Sequence, residues 1–121
     1  MGDRRNIVVE FDSNVSVALY SHWTGEELDQ VLANALDRAR ERWSDAPYLT
    51  RVIFSDMVKD ALGSTTGYGI EPFATGTIDY TESEPHYDLV VSIANKTVTG
   101  DIHGEGKVRS FVEFIQEEKS A

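Results

Sequence analysis

Leu28, Val31, Leu32, Ala35, Leu36, Ala39 and Trp43 recur at intervals of three and four, and no other pattern in the chain restricts the fold so strongly. The spacing predicts an amphipathic helix of about five turns, whose apolar stripe must bury against another layer. The opposite face carries Asp29, Asn34, Asp37, Arg38 and Glu41. Thr24 and Glu27 mark its start with capping-box spacing: the hydroxyl accepts an orphan amide N–H while the carboxylate reaches back. Glu26 and Glu27 in the first turn and Arg40 and Arg42 in the last suit the helix dipole.

Two strands are expected ahead of this helix. Residues 7–11 (Ile-Val-Val-Glu-Phe) are β-branched and apolar, and in residues 15–20 Val15, Val17 and Leu19 alternate with Ser16, Ala18 and Tyr20. Asp12-Ser-Asn14 supplies a turn, so the two runs should pair as an antiparallel hairpin. After the first helix, Ser44-Asp-Ala-Pro47 breaks the pattern and starts a second helix, expected over 47–62 and apolar on more than one face. Gly63 terminates it. Residues 64–69 are turn-rich, and strands are predicted over 68–71 and 77–81, with a loop at 72–76 between them. An exposed acidic stretch follows at 82–86. A strong strand over 87–94, a turn at Asn95-Lys96 and a returning strand over 96–102 come next, then a connection at 103–106. Val108, Phe111, Val112 and Ile115 have helical spacing, and Ser110 with Glu113 offers a second capping box.

With the short run at 68–71 left out of the count, the expected order is β-β-α-α-β-β-β-α. It describes a single α+β domain over residues 1–121, with a mainly antiparallel sheet of about five strands and helices packed on one face. The strand at 7–11 is expected at a sheet edge, where pairing with a second copy would give a homodimer.

Composition excludes several functions. Twenty-one acidic residues against eleven basic ones give a formal charge of −10, a field that repels nucleic-acid phosphates and anionic membranes. Neither direct nucleic-acid binding nor a membrane partner is expected. No run approaches the roughly 18 apolar residues that span a bilayer, and the charged start, Met-Gly-Asp-Arg-Arg-Asn, does not read as a secretory signal. Without cysteine there is no disulfide, thiolate metal site or thiol nucleophile. A cytoplasmic location follows as the expectation.

Tyr20, Ser21, His22 and Trp23 form the densest run of chemically capable side chains, at the junction of a strand and a capped helix. His22 can serve there as an acid, a base or an anion ligand beside free helix amides. Trp23 precedes the cap, where a hydrophobic staple onto Leu28 explains it better than an aromatic wall for a ligand does. Arg51 sits on the second helix, with Asp45 or Glu41 as its natural ion-pair partner. His22, His86 and His103 lack metal-ligand spacing, and Glu82, Glu84 and Asp88 lack the calcium-loop pattern, so no metal is expected. Gly67-Tyr-Gly69 and Gly104-Glu-Gly-Lys107 complete neither phosphate-loop motif, so no cofactor is expected either.

Leu19-Tyr-Ser-His-Trp-Thr-Gly25, Asp45-Ala-Pro-Tyr-Leu-Thr-Arg-Val-Ile-Phe-Ser55 and Thr66-Gly-Tyr-Gly-Ile70 together resemble a group of small proteins of unknown function. These are encoded by phages, notably those of actinobacteria, and by some prokaryotic genomes. The resemblance spans about residues 15 to 70 and implies a phage accessory protein acting inside a bacterial host cell; it brings no activity, cofactor or catalytic residue. On these grounds a non-enzymatic binding module is expected, sequestering a small nucleotide-like ligand through Tyr20, His22, Trp23, Arg51 and Tyr68. Aromatic faces would stack on a planar group, and His22 and Arg51 would meet an anionic one. One alternative is an acidic inhibitor of a basic host protein; the other is a small hydrolase or transferase with His22 as base.

Overall fold

The computed structural model describes residues 5–12, 15–21, 28–73, 89–100 and 107–120. Strands β1 (Arg5–Glu10) and β2 (Ser16–Ser21) form the expected antiparallel hairpin, with Ile7 opposite Leu19 and Val9 opposite Val17. Asp12 closes it, its Oδ1 accepting the Val15 N–H at 2.9 Å. Helix α1 (Leu28–Arg38), a 3-10 turn (Arg40–Arg42) and helix α2 (Ala46–Val58) follow. Then come strands β3 (Tyr68–Phe73), β4 (Leu89–Ser92), β5 (Thr97–Gly100) and β6 (Lys107–Ser110), and helix α3 (Phe111–Ser120).

The class is α+β, but the sheet differs from the expected one. It has six strands in the order β3-β2-β1-β4-β5-β6 and is mixed, because β1 and β4 run parallel, with Ile7 opposite Leu89 and Val9 opposite Val91. β1 is therefore an interior strand, and the expectation of an exposed edge at 7–11 is overturned. The reason lies in the run Ile7-Val8-Val9, each fully buried, although neighbouring residues point to opposite faces. A strand apolar on both faces belongs in the middle of a sheet.

The sixth strand occupies residues that the spacing of Val108 assigned to a helix. The Ser110–Glu113 box forms as expected: the Ser110 N–H donates to Glu113 Oε1 at 2.9 Å and the Glu113 N–H to Ser110 Oγ at 3.1 Å. It starts α3 at Phe111 and leaves the preceding residues extended. Burial in β6 runs against the usual pattern, with Arg109 only 6% exposed and Val108 60% exposed. Arg109 lies over the Phe114 ring, 4.7 Å from its centroid, and its Nη1 reaches Glu117 Oε2 at 3.3 Å. Burial pushes the Glu117 carboxyl up, but hydrogen bonds from Arg109 and Lys107 outweigh it and hold the pKa below the ordinary value.

Helix residues Leu28, Leu32, Leu36, Ile53, Met57 and Phe114 form one apolar cluster with Ile7, Val9, Leu19, Leu89, Val91 and Val98. The other sheet face also buries its centre, at Asn6, Val8, Ser16 and Ala18. The apolar stripe that reads as one long helix is broken after Arg38. Trp43 still returns to it through its indole N–H, which donates to Leu36 O at 2.8 Å and so occupies a carbonyl in the last turn of α1. Ion pairs link the three helices: Arg38 with Asp56 joins α1 to α2, and Asp37 with Lys119 joins α1 to α3. The strand expected over 77–81, the acidic stretch at 82–86, the connection at 103–106 and the Thr24–Glu27 cap lie outside the described residues.

Hydrogen bonds from Lys119 and then Arg40 hold the Asp37 carboxyl below its usual 3.8. A carboxylate of lowered folded pKa adds stability that is complete above the unfolded value and is lost as pH falls through the folded one. Asp37→Asn is expected to lower the melting temperature at pH 7, by a gap that narrows as pH falls below the ordinary aspartate range. Thermal melts from pH 7 down through that range check this, and a pH-independent gap would contradict it.

Candidate functional site

Pro47, Thr50, Arg51, Phe54, Ser55 and Val58 fall on one face of α2 at intervals of three and four. Val58 on this face also reaches the core cluster, and Phe54 packs against it. The face turns toward β3, whose Tyr68 and Ile70 point to the same side of the sheet as Leu19 and Ser21, their partners in register. Between them runs a groove of about 480 Å³, closed at one end by Ala61, Leu62 and Ser64. The size lies within the range of small-ligand sites.

The turn into β3 explains how the groove is held. The Ala61 N–H donates to Val58 O at 2.8 Å and the Ser64 N–H to Ala61 O at 2.9 Å. Ser64 Oγ then donates to Thr66 O at 2.9 Å. Gly67 has φ 93°, a conformation costly for any residue with a Cβ, and it swings the chain into the strand so that Tyr68 faces α2.

Two of the residues singled out from sequence thus meet, Arg51 and Tyr68. Tyr20 does not join them. It lies opposite Gly69, one residue along from Tyr68, and therefore on the other face of the sheet. A Cβ built on Gly69 would overlap the Tyr20 ring, so the ring covers the bare backbone of its cross-strand partner. Tyr20 accordingly has a packing role at its position. His22 and Trp23 lie outside the described residues.

Arg51 also lacks the ion pair expected for it. Asp45 caps α2, its carboxylate accepting the Tyr48 N–H at 3.5 Å, and pairs with Arg42. The link between α1 and α2 is made by Arg38 and Asp56 instead. Arg51 Nη1 donates to Ser55 Oγ at 3.5 Å, and among the described residues it pairs with no carboxylate. It stands exposed in a groove whose other walls are mostly apolar: Phe54, Val58, Leu62 and Ile70. Leu62 and Ile70 are 80% and 58% exposed. Sequence reasoning missed Phe54, Leu62 and Ile70, although the spacing that puts Phe54 beside Arg51 was available.

The described lining holds no carboxylate, histidine or cysteine, so it offers no acid–base pair for catalysis. It offers aromatic surface, hydroxyls and one cation, which are binding groups. Among the described residues no group of three or more His, Asp or Glu is placed to hold a metal ion, and no helix is long and apolar enough to cross a membrane.

The contact between Tyr20 and Gly69 yields a test. Gly69→Ala is expected to destabilise the fold by about 1 kcal/mol, and to be neutral or stabilising in a Tyr20→Ala background, where strand propensity alone acts. Denaturant titrations of the two single variants and the double variant measure the coupling; strictly additive effects would contradict it. No protein-family model, curated protein or solved structure matches the chain.

Proposed function

We propose that the protein is a non-enzymatic binding module, a phage accessory protein, whose groove between α2 and β3 sequesters a small ligand carrying a planar and an anionic group. A nucleotide-like molecule has both. The observation that carries this reading is Arg51, a cation with no carboxylate partner among the described residues, in a groove it shares with Phe54 and Tyr68. The rings would stack on the planar part while the guanidinium fork meets the anion. The net charge of −10 opposes capture at long range, but at about 0.15 M salt it is screened beyond roughly 8 Å.

Mixing the protein with a panel of nucleotides should raise its melting temperature for at least one of them; a ligand at 1,000 times its Kd adds about 4 kcal/mol of stability. Arg51→Ala should weaken that ligand by roughly ten- to a hundredfold, since a charge-assisted contact contributes on the order of 1.5–3 kcal/mol. Tyr68→Ala should weaken it comparably. A panel in which nothing shifts the melt, or an Arg51→Ala variant that binds unchanged, would contradict the proposal. The acidic surface supports a second reading, docking onto a basic host protein. That reading predicts salt-sensitive association with a basic partner that is indifferent to Arg51→Ala.

A further inference from the structure

A second concavity, of about 670 Å³, opens at the N-terminal end of α2, with Phe11, Arg40, Arg42, Trp43, Asp45 and Lys96 among its walls. Three of these are cations from two distant parts of the chain, gathered at one place in a protein of charge −10. Both guanidinium groups are held against aromatic rings. Arg40 lies 5.3 Å from the centroid of Trp43, and Arg42 lies 4.7 Å from that of Tyr48. Trp43 is itself fixed by its bond to Leu36 O and by an edge-on contact with Phe111 at 5.1 Å.

Each arginine meets a carboxylate along one edge only. Arg40 uses Nε toward Asp37 Oδ1 at 2.8 Å, and Arg42 uses Nη1 toward Asp45 Oδ2 at 3.6 Å. A guanidinium carries five N–H donors, so both keep donors for a further acceptor.

Lys96 is the independent observation. It has φ 54° and is the sole non-glycine residue with positive φ among those described. Glycine or asparagine takes that conformation at little cost and lysine does not. The turn is tied down at this residue, since Lys96 O accepts the Phe111 N–H at 2.9 Å and so links the β4–β5 turn to α3. Stability alone would favour glycine. The lysine lines the concavity, and its Nζ donates to Ile93 O at 3.5 Å and, among the described residues, meets no carboxylate. A strained backbone that delivers a charge to a cavity points to function.

We propose that this concavity binds a polyanion of the triphosphate class. Glu41 and Asp45 also line it and offset part of the positive charge, so a single carboxylate or orthophosphate gains little. An anion with several linked phosphates can meet more than one of these cations at once. The chain of phosphates is supplied equally by inorganic tripolyphosphate and by the tail of a nucleoside triphosphate.

The test is calorimetric titration with sodium tripolyphosphate, orthophosphate and a nucleoside triphosphate. It uses the wild type, Lys96→Gly, the Arg40→Gln/Arg42→Gln pair and Arg51→Ala. Tripolyphosphate should bind the wild type, more weakly as salt rises. Lys96→Gly should bind it at least about tenfold more weakly while melting at the same or a higher temperature, a combination that structural damage cannot produce. Lys96→Asn, which tolerates the same φ, should repeat the loss. The arginine pair should also lose binding, and Arg51→Ala, which lies in the other groove, should not. Equal affinity for tripolyphosphate and the nucleotide assigns the site to the phosphate chain. Tighter nucleotide binding that survives Arg51→Ala places the nucleoside in the same concavity, and both results support the proposal. Undetectable tripolyphosphate binding, orthophosphate binding as tightly, or Lys96→Gly binding like the wild type would overturn it.

Discussion

Ile7, Val8 and Val9 are buried on both faces of the sheet, and that burial requires a strand on each side of β1. β2 arrives by a short hairpin. β4 arrives from some eighty residues away, after the chain has made β2, α1, α2 and β3, and it pairs parallel to β1. Every backbone N–H and C=O of a strand so enclosed must find its partner in a neighbouring strand, since water cannot reach it. The pairing of β1 with β4 therefore joins the two halves of the chain. β2 and β3 lie on one side of this seam, and β5 and β6 lie on the other.

The helices complete what the seam begins. α1 lies between α2 and α3, tied to each by an ion pair, and its leucines meet the side chains of both sheet halves in one cluster. Exposed pairs of this kind contribute little each, about 0–1 kcal/mol. The apolar burial does more, roughly 1.5–3 kcal/mol for a fully buried leucine or isoleucine. With α1 buried, α2 is left with a second face, and β3 with its Tyr68–Ile70 face, turned toward each other. The groove is thus a consequence of the layering. Its contents are not: a cation with no carboxylate partner among the described residues and two widely exposed apolar side chains have no packing reason to be there.

Local chemistry was legible in the sequence, and long-range partnership was not. The hairpin, the strand at Leu89–Ser92, the proline in the first turn of α2 and the Ser110–Glu113 box all follow from neighbours in sequence. β6 was hidden because its burial is inverted, with Arg109 sheltered by Phe114 and Glu117 while Val108 faces out. The interior place of β1 was written in three consecutive apolar residues, but a hairpin reading uses only one of its two edges. Spacing offers Arg51 either Asp45 or Glu41, but Asp45 caps α2 and pairs with Arg42. Tyr20 looked functional because Gly69, the residue it covers, is forty-nine positions away in sequence.

Arg51 with Tyr68, and Lys96 with Arg40 and Arg42, each group a residue of the helical segment with one of the sheet or its turns, so both proposed sites depend on the same frame. The frame rests on the enclosure of β1, and native-state amide hydrogen exchange reads it directly. The amides of Ile7, Val8 and Val9 should exchange only through global unfolding, with protection equal to the highest in the molecule. Exchange of these amides at the faster rates of the β3 and β6 edges would contradict the account.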